Sequence, residues 1–130
     1  MKSTLAFTLA TTTLAGLALV GTADAAAPNP ATRFVLTVTS EATGDVTEVW
    51  LACRPTDGNH PAAETACEDL DLANGEFDKL TGNPDRACAL VYEPVTATAV
   101  GTFDETPVSW KKTFGNSCEL TAGTGTVFAF

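Results

Sequence analysis

Four cysteines, Cys53, Cys67, Cys88 and Cys118, constrain more than any other residues what this sequence can fold into. They follow an N-terminal stretch with the marks of an export signal. Lys2 supplies a positive charge, Leu5 to Val20 is apolar and Thr-rich, and Ala23-Asp24-Ala25 has the small-x-small form of a cleavage site. The apolar run is shorter than the roughly 20 residues a spanning helix needs, and Thr11-Thr12-Thr13 interrupts it. Residues 1–25 are therefore read as a secretory signal peptide, and residues 26–130 as a secreted, extracellular domain. Four cysteines in an oxidising space form two disulfides by default. Sequence alone does not choose among the three pairings. Joining neighbours, Cys53 with Cys67 and Cys88 with Cys118, closes two compact loops and is the physically preferred arrangement. In the chain-entropy model each bridge contributes about 3 to 4 kcal/mol.

Removing residues 1–25 leaves 105 of the 130 residues, a single domain by length with one modest core. Of 7 Lys and Arg and 16 Asp and Glu, Lys2 and Asp24 fall in the leader, which leaves an acidic domain. That balance argues against a nucleic-acid partner and against adsorption to anionic membranes, and it suits solubility.

The pattern of elements is mixed. Arg33 to Thr39 is rich in β-branched residues and reads as a strand, followed by a turn over Ser40 to Asp45. Val46 to Cys53 reads as a second strand, with Val49, Leu51 and Cys53 on one face and Trp50 on the other. Arg54 to Pro61 holds two prolines, Gly58 and Asn59 and reads as loop. Ala62 to Ala73 is the best helix, with Ala63, Ala66, Cys67, Leu70 and Ala73 on one face and Asn74-Gly75 ending it. Phe77 and Leu80 then point into the core. Val95 to Gly101, Val108 to Phe114 and Val127 to Phe130 complete five expected strands, and Asn116 to Thr121 is expected as a short helix or turn around Cys118. The class is α+β, an antiparallel sheet with helix on one face. Several strands carry apolar residues on both faces, and one helix cannot cover both. A homodimer through the second face, with Val35 or Trp50 taking part, is expected.

Enzymatic chemistry finds little support. His60 is the only histidine and lies in a loop, and neither Ser109 nor Ser117 sits in a nucleophile motif. Cysteines committed to bridges leave no thiol nucleophile and no cysteine-zinc site. Glu64, Glu68, Asp69 and Asp71 read as a solvated acidic face of the helix, without the spacing of an EF-hand loop. No cofactor and no metal is expected. The remaining candidate is Cys88-Ala89-Leu90-Val91-Tyr92-Glu93-Pro94, an apolar segment leaving the turn Asn83-Pro84-Asp85-Arg86. It is either a buried strand running into Val95 or a stiff extended loop, tied by sulfur at one end and by proline at the other. Peptidases bind their substrates extended, so the second alternative makes it a substrate mimic.

Over most of its length the sequence resembles the Streptomyces subtilisin inhibitor family. The resemblance rests on Leu36-Thr37-Val38, Cys53-x-Pro55, Gly58-x-His60-Pro61 and Ala66-Cys67-x-Asp69-Leu70. It continues with Cys88-x-x-Val91-Tyr92-x-Pro94-Val95, Phe114-x-Asn116-x-Cys118-Glu119 and the ending Val127-Phe128-Ala129-Phe130. It implies a five-stranded antiparallel sheet with two helices, a homodimer, and disulfides Cys53–Cys67 and Cys88–Cys118. It also implies a secreted inhibitor of subtilisin-like serine peptidases, extending to chymotrypsin-like ones, and no enzyme activity. The reactive bond it implies is Leu90–Val91, flanked by the contact residues Cys88, Ala89, Tyr92 and Glu93. The residue before the specificity position is often proline in that family and is Ala89 here, which implies a softer loop. The alternative reading is a secreted binding module that uses its apolar sheet face.

Overall fold

The computed structural model describes residues 29–130, together with Gly16 and Gly21. The expected leader and its cleavage site therefore lie outside the described residues, those two glycines excepted. The first strand, β1 (Thr32–Ser40), alternates as its β-branched sequence demands: Phe34 and Leu36 are fully buried, and Arg33 and Val35 face outward. It pairs antiparallel on one side with β2 (Val46–Cys53) and on the other with β4 (Val95–Phe103). The hairpin β4–β5, with β5 spanning Thr106–Phe114, turns on Asp104 and Glu105, both at positive φ. A two-residue strand, β3 (Asp57–Gly58), pairs with β2, and the sheet order is β3-β2-β1-β4-β5.

Helix α1 (Ala63–Leu72) lies against this sheet through Ala66, Cys67 and Leu70, the face its periodicity predicts, and Ala73 continues that buried line. Asn74 and Gly75, both left-handed, end it. Cys53–Cys67 ties α1 to the end of β2, and Cys88–Cys118 ties the segment before β4 to α2 (Ser117–Thr124). Both pairings are those preferred from loop closure. At the same end of the sheet as Cys53, the Arg54 guanidinium reaches Asp71 on α1, Asp104 in the β4–β5 turn and Thr32. Its hydrogen bond to Asp71, with further support from Asp104, holds it above the ordinary arginine range.

The core sits between the sheet and α1. Phe77, in a short 3-10 turn (Phe77–Lys79), meets Phe34 edge-on at 5.1 Å and stacks on Trp110 at 5.4 Å. The small residues Ala97 and Ala99, fully buried on β4, leave the space that these rings fill.

Two sequence expectations are corrected. Val127 to Phe130 is not a strand. Its side chains are apolar because Val127 and Phe128 are buried, but its backbone polar groups turn elsewhere: Val127 O meets His60 Nε2 at 3.0 Å, and Ala129 N–H donates to Thr126 O. The fifth strand is instead β3, inside the stretch read as loop. Asn59 Oδ1, which accepts from Trp50 N–H at 2.8 Å, pins that stretch to the edge of β2.

The other sheet face carries Val35, half-exposed, between Trp50 on β2 and Val100 on β4, with Arg33 stacked 5.1 Å over Trp50. No helix covers this face among the described residues.

Candidate functional site

The segment Gly82 to Pro94 forms neither helix nor strand. Arg86 N–H donates to Asn83 O at 3.0 Å, which closes the turn expected there. Of the two alternatives for Cys88 to Pro94, the buried strand is not observed: β4 begins only at Val95. Leu90 is 102% exposed, as open as in an unfolded chain, and Tyr92 is 82% exposed. Ala89, Val91 and Glu93 are exposed as well. An isolated leucine held in water forgoes about 1.5 to 3 kcal/mol of burial. It stays outside only because the backbone beneath it is fixed.

That fixing comes from four places. The bridge Cys88–Cys118 anchors one end to α2. Val91 N–H donates to Ala89 O at 2.9 Å, closing a three-residue turn with Leu90 at its tip. Beyond Leu90, Glu93 N–H donates to Gly115 O at 2.9 Å, and Pro94 O accepts from Glu41 N–H at 3.0 Å, in the turn between β1 and β2. The fourth is Asn116, buried at 7% exposure, whose carboxamide is used on both sides. Its Oδ1 accepts from Glu119 N–H at 2.9 Å and so caps α2, while its Nδ2 donates to Val91 O at 2.8 Å and more weakly to Ala89 O at 3.4 Å. The two carbonyls held by Asn116 flank Leu90. The peptide groups on both sides of the Leu90–Val91 bond are thus clamped to the capping residue of α2.

The other residues weighed from sequence are used structurally. His60 is buried, accepts from Ala62 N–H at Nδ1, and packs edge-on against Phe130 at 5.6 Å. A backbone donor at Nδ1 places the ring proton on Nε2, aimed at Val127 O. Both nitrogens therefore have backbone partners, and neither meets a serine or a carboxylate. Asp69 accepts from Thr126 through both its N–H and its hydroxyl, and Asp71 pairs with Arg54. Glu64 and Glu68 are exposed.

The sequence reading assigned no role to Asn116, Gly115 or Glu41. A signal for the first was present: Asn116-x-x-Glu119 ahead of an apolar turn is a helix N-terminal pattern. It predicts the cap, but not that the spare amide hydrogens face a loop some 25 residues away in sequence.

The family described as subtilisin inhibitor-like matches residues 30–116. Subtilisin inhibitor-like protein 5 of Streptomyces fradiae is 42% identical over 109 residues, covering 80% of this chain and 99% of its own. The subtilisin inhibitor of Streptomyces albogriseolus is 42% identical over 83 residues, 63% of this chain and 58% of its own. Among solved structures, Streptomyces caespitosus sermetstatin in complex with Bacillus licheniformis subtilisin superposes with a TM-score of 0.64. It is 34% identical, with 75% of this chain and 97% of that one covered.

The two halves of the Asn116 carboxamide are separable by substitution. Asn116→Ala loses cap and clasp together and should cost about 1 to 2 kcal/mol in chemical denaturation. Asn116→Asp keeps an acceptor for Glu119 N–H but sets an oxygen against the two carbonyls. It should keep the cap but lose the clasp's share of the stability, about 1 to 3 kcal/mol, while the Val91 amide exchanges several-fold faster by NMR. Wild-type stability in Asn116→Asp, with Val91 exchange unchanged, would show that the clasp contributes nothing.

Proposed function

The chain belongs to the subtilisin inhibitor-like family, and from that premise we propose that it is a secreted, substrate-like inhibitor of subtilisin-like serine peptidases, with Leu90–Val91 as its reactive bond. The observation that carries this reading is the clamped peptide bond between a 102% exposed Leu90 and a half-exposed Val91, with both neighbouring carbonyls held by one buried side chain. Exposed Ala89, Tyr92 and Glu93, with the partly buried Cys88, lie in the same segment and form the contact surface around it. The protein binds and restrains a peptidase and carries out no reaction of its own.

The mechanism follows from where the anchors sit. Leu90 enters the pocket that reads the residue before the scissile bond; a broad apolar pocket accepts it, and a pocket with an acid at its base does not. Attack of the peptidase serine on the Leu90 carbonyl carbon makes the Val91 amine the leaving group. On the acyl side, Cys88–Cys118 keeps Leu90 attached to α2. On the amine side, the bond from Glu93 to Gly115 and the start of β4 keep Val91 where it was. The amine cannot diffuse away, so it re-attacks the acyl carbon faster than water does, and the peptide bond is re-formed. Affinity comes from this pre-organisation, since little loop freedom remains to be lost on docking. Ala89 lacks the ring that often stands before the specificity position, and its carbonyl, held by Val91 N–H and Asn116 Nδ2, is restrained by hydrogen bonds instead.

Titration of subtilisin with the mature protein tests the proposal. Residual activity should fall linearly to zero near one chain per enzyme, with any nick confined to Leu90–Val91 by mass spectrometry. Undiminished activity, with cleavage at many bonds, would remove the inhibitory reading.

The open sheet face supports a homodimer: Val35, Trp50 and Val100 make an apolar line with no cover among the described residues. A Val35→Asp, Val100→Asp variant should sediment at half the mass of the wild type. Wild-type protein sedimenting as a monomer would count against the dimer and favour this face as a docking surface for another molecule.

Two further outcomes are expected. Leu90→Lys should gain inhibition of trypsin by two orders of magnitude or more, because a buried acid in the pocket discriminates strongly for its charged partner. A folded variant that leaves trypsin unaffected means that another bond is the reactive one. Cys88→Ala with Cys118→Ala should turn the inhibitor into a consumed substrate, read as activity that recovers with time, while lasting inhibition would show the bridge to be dispensable.

A further inference from the structure

Glu119 has an exposed side chain, yet it is bonded to both residues that hold the loop. Its Oε2 accepts from Gly115 N–H at 3.0 Å, and its backbone N–H donates to Asn116 Oδ1 at 2.9 Å. This is a reciprocal helix cap displaced by one residue, since the carboxylate reaches past the capping Asn116 to the residue before it. Gly115 is the residue whose carbonyl receives Glu93 N–H, and Asn116 is the one whose Nδ2 holds Val91 O and Ala89 O. The hydrogen bonds of Glu119 go not to the reactive bond but to the two groups that hold it, Gly115 through the carboxylate and Asn116 through the backbone N–H.

The glycine next to it is matched to that role. A Cβ on Gly115 would stand 2.6 Å from Glu119 Oε2 and 3.3 Å from its Cδ, and the backbone of Gly115 is not in the left-handed region. A side chain here would displace the carboxylate from its place on Gly115 N–H without straining the backbone.

We propose that the Glu119 side chain is a positioning residue for the Leu90–Val91 bond, acting through Gly115 on the amine side, while the backbone N–H of the same residue orients Asn116. The proposal rests on the inhibitory reading above and deepens it: religation requires the two new ends to stay in register, and Glu119 sets that register from beneath. A Glu near a helix N-terminus also favours the helix dipole, which is a structural role with no loop consequence. The two are separated by chemistry, because glutamine keeps an acceptor oxygen for Gly115 N–H and loses the charge.

The test uses the full mature chain in two measurements. In the free protein, amide hydrogen exchange is followed at Gly115 and Glu93, with Leu36 in the central strand as a monitor of global unfolding. With subtilisin, the rate at which nicked inhibitor accumulates is followed. Glu119→Ala should speed exchange at Glu93 by about three- to tenfold beyond any change at Leu36, the range expected for one lost hydrogen bond, and should raise the nicking rate in parallel. Gly115→Ala, which displaces the same carboxylate from the other side, should do the same, and the double variant should be no worse than either single one. Glu119→Gln should stay within about twofold of the wild type. Exchange at Glu93 that moves only as far as Leu36 would overturn the proposal, as would a Glu119→Gln variant as weak as Glu119→Ala. Wild-type protein that fails to inhibit subtilisin would instead overturn the inhibitory reading, and the wild-type titration gives that result before any variant is made.

Discussion

The loop's geometry depends on a buried carboxamide that serves two structures at once. Asn116 caps α2 with its oxygen and holds the carbonyls of Ala89 and Val91 with its nitrogen, so the start of the helix and the tip of the loop share one side chain. Buried, that group cannot afford to lose either set of partners, because an unsatisfied polar group costs about 1 to 3 kcal/mol. The same penalty that stabilises the cap therefore stiffens the loop. A surface hydrogen bond could exchange for water at little cost and would not do this. Cys118 lies two residues further on in the same helical turn, so sulfur and amide act from a single rigid base.

The rest of the fold makes that base immobile. The aromatic set Phe34, Phe77, Trp110 and Phe128 packs between sheet and helix. The Arg54 network and Cys53–Cys67 bind α1 to the far end of the sheet. Between these ends, β4 starts immediately after Pro94 and runs the length of the central strand β1. A loop that enters from a disulfide and leaves directly into a central strand has little length over which to flex. Glu41 adds a brace from the β1–β2 turn to Pro94, and the amine side of the loop thereby depends on a hairpin from the other end of the sequence.

How much of this was legible depended on whether the information was local. The β-branched composition of Arg33 to Thr39 showed the first strand, and alternation over Val46 to Cys53 showed the second with its buried face. Helical spacing from Ala63 to Ala73 did the same for α1, because each residue's environment follows from its position in the element. Val127 to Phe130 misled for the converse reason. Burial makes a segment apolar whether or not it hydrogen-bonds to a sheet, and here His60 and a local turn take its backbone groups. The two-residue β3 carried no periodic signal at all. In the candidate site, the cysteines and the apolar run drew attention to a segment that is exposed and anchored at both ends. The resemblance to a known family named the bond, which the residue pattern alone did not. Asn116 and Glu119 were visible as a cap pattern, but that a cap would point its spare donor at a loop is a fact of tertiary placement.

The exposed Leu90 is the point at which stability and recognition conflict. An apolar side chain at full exposure is a loss the free protein sustains, of about 1.5 to 3 kcal/mol if burial were available. The fold could recover it by letting the loop collapse onto the sheet, and the anchors at Cys88, Asn116, Gly115 and Pro94 are what forbid the collapse. A partner with an apolar pocket returns that energy on binding, without the ordering cost a mobile loop would bear. This is why peptidase–inhibitor interfaces of roughly 1,600 Å² reach affinities that area alone does not predict. On the inhibitory reading proposed above, the restraint beneath the loop and the exposure above it belong together: weakening Asn116 would let the leucine leave the solvent and would remove the pre-organisation.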